Sequence, residues 1–476
     1  MRESGDVILV SCYEPGHQPQ GVASAMAHLR RAGFRPTCLD LAVEPFDDGA
    51  RARLTSAKLV AISVPMHTAL MLGRRVGARL RRDNPGAHLC FFGLYATLNR
   101  ALLAAEADTV LGPDCEAQLV GLAGSLAAGA TPALEPREPG RQEALVPERD
   151  ALPPLAKYAR LAIADEQRVA GHVEATRGCK HLCRHCPIPP VYGGRFFAVP
   201  ADVVLADARA QIAAGARHID FGDPDFLNGP QHGLRIARAL HAEHPQVTFS
   251  FTAKIEHIVA GPGLIPELAA AGALFVVSAV ESLSDHVLAA LAKGHRAADV
   301  PRALEIVRAA GLSLRPTLVA FTPWTTLDDF LDLCRFIRAH ELEDEVDPVQ
   351  LSLRLLVPPG SLLLGAPDGA PDIAPYLGPL DEQALSYRWT HPDPRMDRLE
   401  ADVSALVEEA AGAGEAAIVT FGRIHRLAAA AAGRPDEAPP ALGIRRRPGR
   451  PAPHLTEPWF CCAQPTKMQV GKTQKA

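Results

Sequence analysis

Glu174 to Arg195 reads EATRGCKHLCRHCPIPPVYGGR and places Cys179, Cys183 and Cys186 in a CxxxCxxC spacing, followed by two prolines and a glycine pair. Three thiolates this close together can wrap one metal centre, but three is one short of a closed site. Structural zinc takes four ligands, whereas a reacting centre keeps one position open. A cubane iron–sulfur cluster held by three cysteines leaves its fourth iron free for a substrate or cofactor. The same cysteines with His181 or His185 would instead make a zinc knuckle that stabilises a loop. The motif alone leaves both chemistries open.

Around this loop a strand–helix alternation repeats six times between Val173 and Pro358. The strand-like segments are 172–176 (HVEAT), 218–223, 248–253, 274–282, 313–321 and 349–357. The runs between them are mostly amphipathic at helical spacing, and several stop at Gly. Six βα units predict a partial barrel, open on one side, whose reactive groups gather at the strand C-termini. The cysteine loop falls after the first strand of that repeat.

The spacing of the cysteines and their place in the repeat resemble the radical S-adenosylmethionine (SAM) enzymes. That resemblance implies that Cys179, Cys183 and Cys186 hold a 4Fe–4S cluster whose open iron chelates SAM. Reductive cleavage then gives a 5′-deoxyadenosyl radical, with a flavodoxin or ferredoxin as reductant. It further implies that His185 lies flat against the adenine and that Asp223, in Gly222-Asp223-Pro224-Asp225, receives the SAM amino group. Ser278 and Glu281 on the fourth strand would face the SAM ribose and methionine. Read as residues, GDPD is also an ordinary βα turn, and a buried Glu281 needs a partner because an unpaired carboxylate is costly. Arg315 is expected to meet either the SAM carboxylate or Glu281, and Arg354 has the same ambiguity.

The first 130 residues alternate strand and helix as well, with strands at 7–12, about 37–41, 58–66, 88–96 and from Thr109 onward. This pattern predicts a parallel sheet wound on both faces, with its ligand crevice at the carboxyl ends of the strands. Its loops resemble the cobalamin-binding domain that precedes the radical SAM domain in one subgroup. The resemblance places Ser63 and Thr68 along the cobalamin nucleotide tail and Gly93 at a close backbone approach, and makes cobalamin a third cofactor. The DxHxxG histidine pattern of the cobalamin mutases is not reproduced: Pro15 stands two residues before His17 and the glycine is displaced to Gly21. A flavodoxin-like domain without cobalamin is the alternative. Cys12, Cys38, Cys90 and Cys334 read as small core residues, and Cys115 as partly exposed.

The expected fold class is therefore α/β, in five parts. A Rossmann-like, doubly wound domain spans 1–130, a Pro- and Glu-rich linker 131–172, and the radical SAM core 173–362. A helical extension spans 363–434 and a flexible tail 435–476. That tail carries Trp459, Phe460, Cys461 and Cys462 and resembles a group of radical SAM proteins ending in Cys-Cys-Ala-Glu-Pro, with Gln464 here in place of the Glu. Cys461 and Cys462 are expected to reach the barrel mouth as catalytic thiols.

The net charge of −5 over 476 residues gives no reason to expect nucleic acid or an anionic membrane as partner. No run approaches the roughly 20 apolar residues of a membrane span. With no export signal, reduced thiols in the cytoplasm are expected. The sequence thus predicts an enzyme methylating, or forming carbon–sulfur or carbon–metalloid bonds on, a small molecule or peptide. A non-catalytic zinc or iron–sulfur scaffold is the rival.

Overall fold

The computed structural model describes residues 1–132, 137–367, 369–438 and 452–457. Val7–Ser11 (β1), Thr37–Asp40 (β2), Leu59–Ser63 (β3), His88–Phe92 (β4) and Thr109–Leu111 (β5) form one sheet in the order β2-β1-β3-β4-β5, parallel throughout. Both faces are covered, so β1 and β3 are buried along their whole length and read as continuous apolar runs. Helices Gln20–Arg31 and Glu116–Ala127 pack on one face, and Asp48–Ser56 and His67–Asp83 on the other. The strand order reverses between β1 and β3, which puts the crevice at the loops that follow those two strands.

The second sheet begins earlier than expected. Arg160–Ile163 (β6) and Glu166–Val173 (β7) form an antiparallel hairpin inside the expected linker. A short antiparallel pair, Thr176–Gly178 (β8) with Phe196–Ala198 (β9), then brackets the cysteine loop. His218–Phe221 (β10), Thr248–Thr252 (β11), Ala273–Glu281 (β12) and Ser313–Leu318 (β13) follow in parallel with β7. Beyond them come the hairpin Leu377–Asp381 (β14) with Ser386–Trp389 (β15) and the two-residue strand His454–Leu455 (β16). The curled sheet runs β13-β12-β11-β10-β7-β6-β16. Its helix-covered face buries an aromatic set that includes Phe221, Phe226, Phe249 and Phe251, each contributing about 1.5–3 kcal/mol of burial.

The expected sixth strand is not a strand. Pro348–Ser352 forms a helical turn, in which the Ser352 hydroxyl donates to the Val349 carbonyl at 2.8 Å. Pairing shrinks to one parallel bridge, Phe321 with Arg354. Arg354, at that bridge, is held by its side chain from outside the sheet: its guanidinium pairs with Asp397 at 2.9 Å and stacks over Trp389 at 3.5 Å.

The expected helical extension opens with the β14–β15 hairpin. Helices Pro394–Ala413 and Ala417–Ala431 then pack against helix Leu327–Ala339 in the main core. Cys12, Cys38, Cys90 and Cys334 are buried as expected, and Cys115 is buried as well, not partly exposed. Within the expected flexible tail, residues 452–457 carry β16, which pairs with β6; Cys461 and Cys462 lie outside the described residues. Among the described residues no helix is long and apolar enough to cross a membrane.

Candidate active site

The carboxyl ends of both sheets face one cavity of about 410 Å³. One wall comes from the loops after β1, β3, β4 and β5, including Glu14, His17, Met66, Tyr95 and Glu116. The other comes from the curled sheet and contains Cys179, Cys183, Cys186, Asp223, Lys254 and Glu281. The two walls are joined by buried polar contacts. Arg177, on β8 just before the first cysteine, donates to Asp114 at 3.1 Å, Glu116 at 2.8 Å and the Ser24 hydroxyl at 3.1 Å. Burial pushes the Glu116 carboxyl up, but the Arg177 charge and the Ser24 hydrogen bond outweigh it and hold it at about 2. Arg149 forks onto Asp207 at 2.6 and 2.8 Å and also donates to the His172 carbonyl.

The cysteine loop is held from behind. The Arg184 backbone N–H donates to the Leu291 carbonyl, and its guanidinium donates to the Ala290 and Pro371 carbonyls. Cys179 and Cys183 are buried and Cys186 is partly so. Burial raises the Cys179 thiol to about 11. Burial also raises Cys183, while the ammonium groups of Lys293 and Lys254 pull it down. Two lysines beside the thiols supply the field that thiolate ligands need.

Three thiols that line one cavity fit a cubane cluster that keeps its fourth iron open.

Asp223 lines the cavity and is almost fully buried. It accepts the Ala175 N–H at 3.0 Å and the Thr176 hydroxyl at 2.6 Å. Burial lifts its carboxyl to about 7 against those two hydrogen bonds. The preceding Gly222 is required sterically, because a Cβ there would sit inside the His172 ring. That ring lies flat on His17, with centroids 3.6 Å apart and planes 2° apart.

Glu281 also lines the cavity, but its charge is already answered. Lys293 Nζ lies 3.3 Å and His185 Nε2 3.1 Å from its Oε1. Burial opposes ionisation, yet the Lys293 charge and the His185 hydrogen bond hold the carboxyl at about 2. Its backbone is left-handed (φ 64°) where the register between β12 and β13 shifts. His185 is on the cavity wall, with one ring nitrogen engaged by Glu281.

Five other residues expected at the cofactors lie off the cavity wall. Ser278 alternates with the wall residues Val277 and Ala279, so its side chain points to the helix side of β12. Arg315 meets neither SAM's expected place nor Glu281; it donates to both oxygens of Asp347 at 3.1 Å and to the Asp344 carbonyl, away from the cavity. Ser63 and Thr68 are buried in the N-terminal domain and are not on the cavity wall. Gly93 does make a close backbone approach (φ 118°), but to Val64, whose carbonyl carbon and oxygen would lie 3.1 Å from a Cβ. Sequence reasoning missed Lys293, which comes from a turn after helix Asp285–Ala290, and His172, hidden at the end of a strand. A lysine beside a glycine in LAKGH was the available signal for the first.

Fold and site together define a radical SAM domain. Residues 173–337 match the family described as Radical SAM superfamily, so this part of the chain carries a radical SAM domain. It is 25% identical over 255 residues to the ribosomal protein uS12 methylthiotransferase RimO of Solibacter usitatus (strain Ellin6076), covering 50% of each chain. It is 28% identical over 256 residues to the tRNA-2-methylthio-N(6)-dimethylallyladenosine synthase of Sorangium cellulosum (strain So ce56), covering 48% of this chain and 50% of that one. The chain thus spans about half the length of the curated relatives it matches. Among solved structures it is similar in fold to the radical SAM methyltransferase TsrM of Kitasatospora setae, with cobalamin and a 4Fe–4S cluster bound. The TM-score is 0.54 at 18% identity, over 71% of each chain. It is also similar to the cobalamin-dependent SAM radical enzyme OxsB with aqua-cobalamin bound, at TM-score 0.66 and 16% identity. That match covers 85% of this chain and 67% of the other.

Proposed function

We propose that this chain is a cobalamin-dependent radical SAM methyltransferase acting on a small molecule. The observation that carries the reading is the single cavity. It runs from the β1/β3 switch point, where a flavodoxin-like sheet binds its ligand, to the three cysteines without a wall between them. The likeness in fold to TsrM and OxsB, both described with cobalamin bound, supports the same arrangement here.

Cys179, Cys183 and Cys186 would hold the cluster, Asp223 and His185 would contact SAM, and the loops carrying Glu14, His17 and Met66 would face the corrin. When bound, these groups supply a carbon radical and a transferable methyl group. The protein's own part is positioning and charge. Asp223, poised near 7, is brought into its ionised form by an approaching ammonium group. Glu281 stays ionised but neutralised by Lys293, so the cavity floor does not repel a carboxylate. Lys254 and Lys293 offset the negative charge of thiolates.

Cys461 and Cys462 remain proposed as reactive thiols. Leu455 and Glu457 are themselves on the cavity wall, and Glu457 receives the Tyr13 hydroxyl at 3.1 Å. Cys461 follows Glu457 by four residues, a reach of at most about 14 Å.

Anaerobic reconstitution tests the reading. The expected protein is brown, holds about four irons per chain, retains cobalamin through gel filtration and cleaves SAM once reduced. Cys183→Ala should lose iron and cleavage together, and Cys461→Ser with Cys462→Ser should lose methylated product while keeping SAM cleavage. Colourless protein with one zinc would overturn the enzyme reading, and cluster without cobalamin would overturn the methyltransferase reading.

A further inference from the structure

At the cysteine loop, three side chains from separate βα exits converge. We propose that His181, Asp225 and His257 form a second metal centre, a mononuclear site for a first-row divalent ion such as zinc. The three residues offer ligand atoms that all lie within 4.8 Å of one another.

Asp225 has no solvent exposure. Its Oδ1 caps the short helical turn after β10 by accepting the Leu227 N–H at 3.0 Å. Its Oδ2 is buried, with His257 Nδ1 2.7 Å and His181 Nε2 3.5 Å away, and the two imidazoles meet Nε2 to Nε2 at 3.2 Å. Two ligands of one ion have this relation, because bonds of about 2.0–2.2 Å hold ligand atoms about 3 Å apart.

The opposite edge of His181 supplies the independent observation. Its Nδ1 faces the Glu256 carboxylate at 3.7 Å, and Glu256 is held by Lys254 at 3.1 Å. A metal-bound imidazole characteristically directs its other ring nitrogen to a carboxylate, which fixes the tautomer. Two imidazoles and one carboxylate suit zinc or ferrous iron. His181 stands between Cys179 and Cys183, Asp225 follows β10, and His257 lies in the helix after β11. An ion at this point ties the cysteine loop to two strand exits, a positioning role separate from SAM cleavage.

Zinc itself is the probe. Full-length protein, reconstituted with its cluster, is equilibrated with zinc, dialysed against a weak chelator and analysed for metals. The expected result is one zinc per chain beyond the iron, with an X-ray absorption spectrum showing nitrogen and oxygen at about 2.0–2.1 Å and no sulfur at about 2.3 Å. Asp225→Asn, and separately His181→Gln, should reduce zinc retention at least tenfold with iron content unchanged. Replacing Cys179, Cys183 and Cys186 together by Ala should remove iron and leave zinc bound. A wild-type chain that retains no zinc, a sulfur shell around the zinc, or full retention in both variants each overturns the site. The wild-type spectrum needs no variant to fold, and zinc retention is read without SAM turnover, so failure of the methyltransferase reading leaves this result distinct.

Discussion

Lys293→Met removes the ammonium that answers Glu281 while keeping the side chain's length. Both groups are nearly fully buried, at 3% and 5% exposure, so solvent does not replace the lost partner. The Glu281 carboxyl sits at about 2, against 4.5 for an ordinary glutamate, and Lys293 is the largest attractive cause. At about 1.4 kcal/mol per pKa unit this corresponds to about 3 kcal/mol. That is the lower end of the roughly 3–5 kcal/mol seen when one partner of a buried pair is deleted. For a cooperative unit the size of the radical SAM core, such a loss lowers Tm by about 6–12 °C. The carboxyl's folded value lies below its unfolded value, so its contribution is present above pH 4.5 and drains away as pH falls toward 2. The gap between wild type and variant should therefore be widest at pH 6–8 and close below 4.5. The assay is thermal unfolding followed by circular dichroism, under anaerobic conditions, across that range. Adding Glu281→Gln to Lys293→Met should recover about 2 kcal/mol, since no charge is then left buried. A variant that melts with wild type at pH 7, or a gap independent of pH, would refute the pairing.

Two further outcomes follow from the same geometry. Arg177→Ala leaves Asp114 and Glu116 buried without their cation, so calorimetry should show about 3 kcal/mol of destabilisation and an N-terminal transition separated from that of the core; one unshifted transition would contradict the contact. Asp223 has a raised folded value, about 7 against 3.8, so it costs stability as pH rises through that window. Asp223→Asn should therefore be up to about 4 kcal/mol more stable than wild type at pH 8 and level with it at pH 4, while retaining less SAM in equilibrium dialysis.

The parts of this fold written in local pattern were legible. Apolar runs of strand length separated by amphipathic helices marked both parallel sheets, and the cysteine spacing fell where the barrel needs it. What failed depended on partners distant in sequence. Segment 349–357 has a strand's composition, but its first half winds into the helical turn Pro348–Ser352 and only Arg354 keeps a bridge to the sheet. Arg315 looked like a ligand for an anion because Asp347 is supplied by a later loop. Ser278 was placed on the wrong face because strand alternation fixes the wall at Val277, Ala279 and Glu281, and only the packing tells which face is which. The β6–β7 hairpin was hidden in a proline-rich stretch that carries no period. The convergence of His181, Asp225 and His257 has no spacing rule at all, since two loops and a helix bring them together.

The pairing of β16 with β6 has a consequence for how the molecule is made. Arg160 N–H donates to the Thr456 hydroxyl across 296 residues of sequence, and Tyr13 reaches Glu457 across 444. Contacts of such separation form late, after local units have condensed. During synthesis the N-terminal sheet and the curled sheet emerge and fold before β16, leaving the β6 edge open until β16 docks on it. An open strand edge invites foreign pairing, and the docking of β16 both closes that edge and sets Leu455 and Glu457 into the cavity wall.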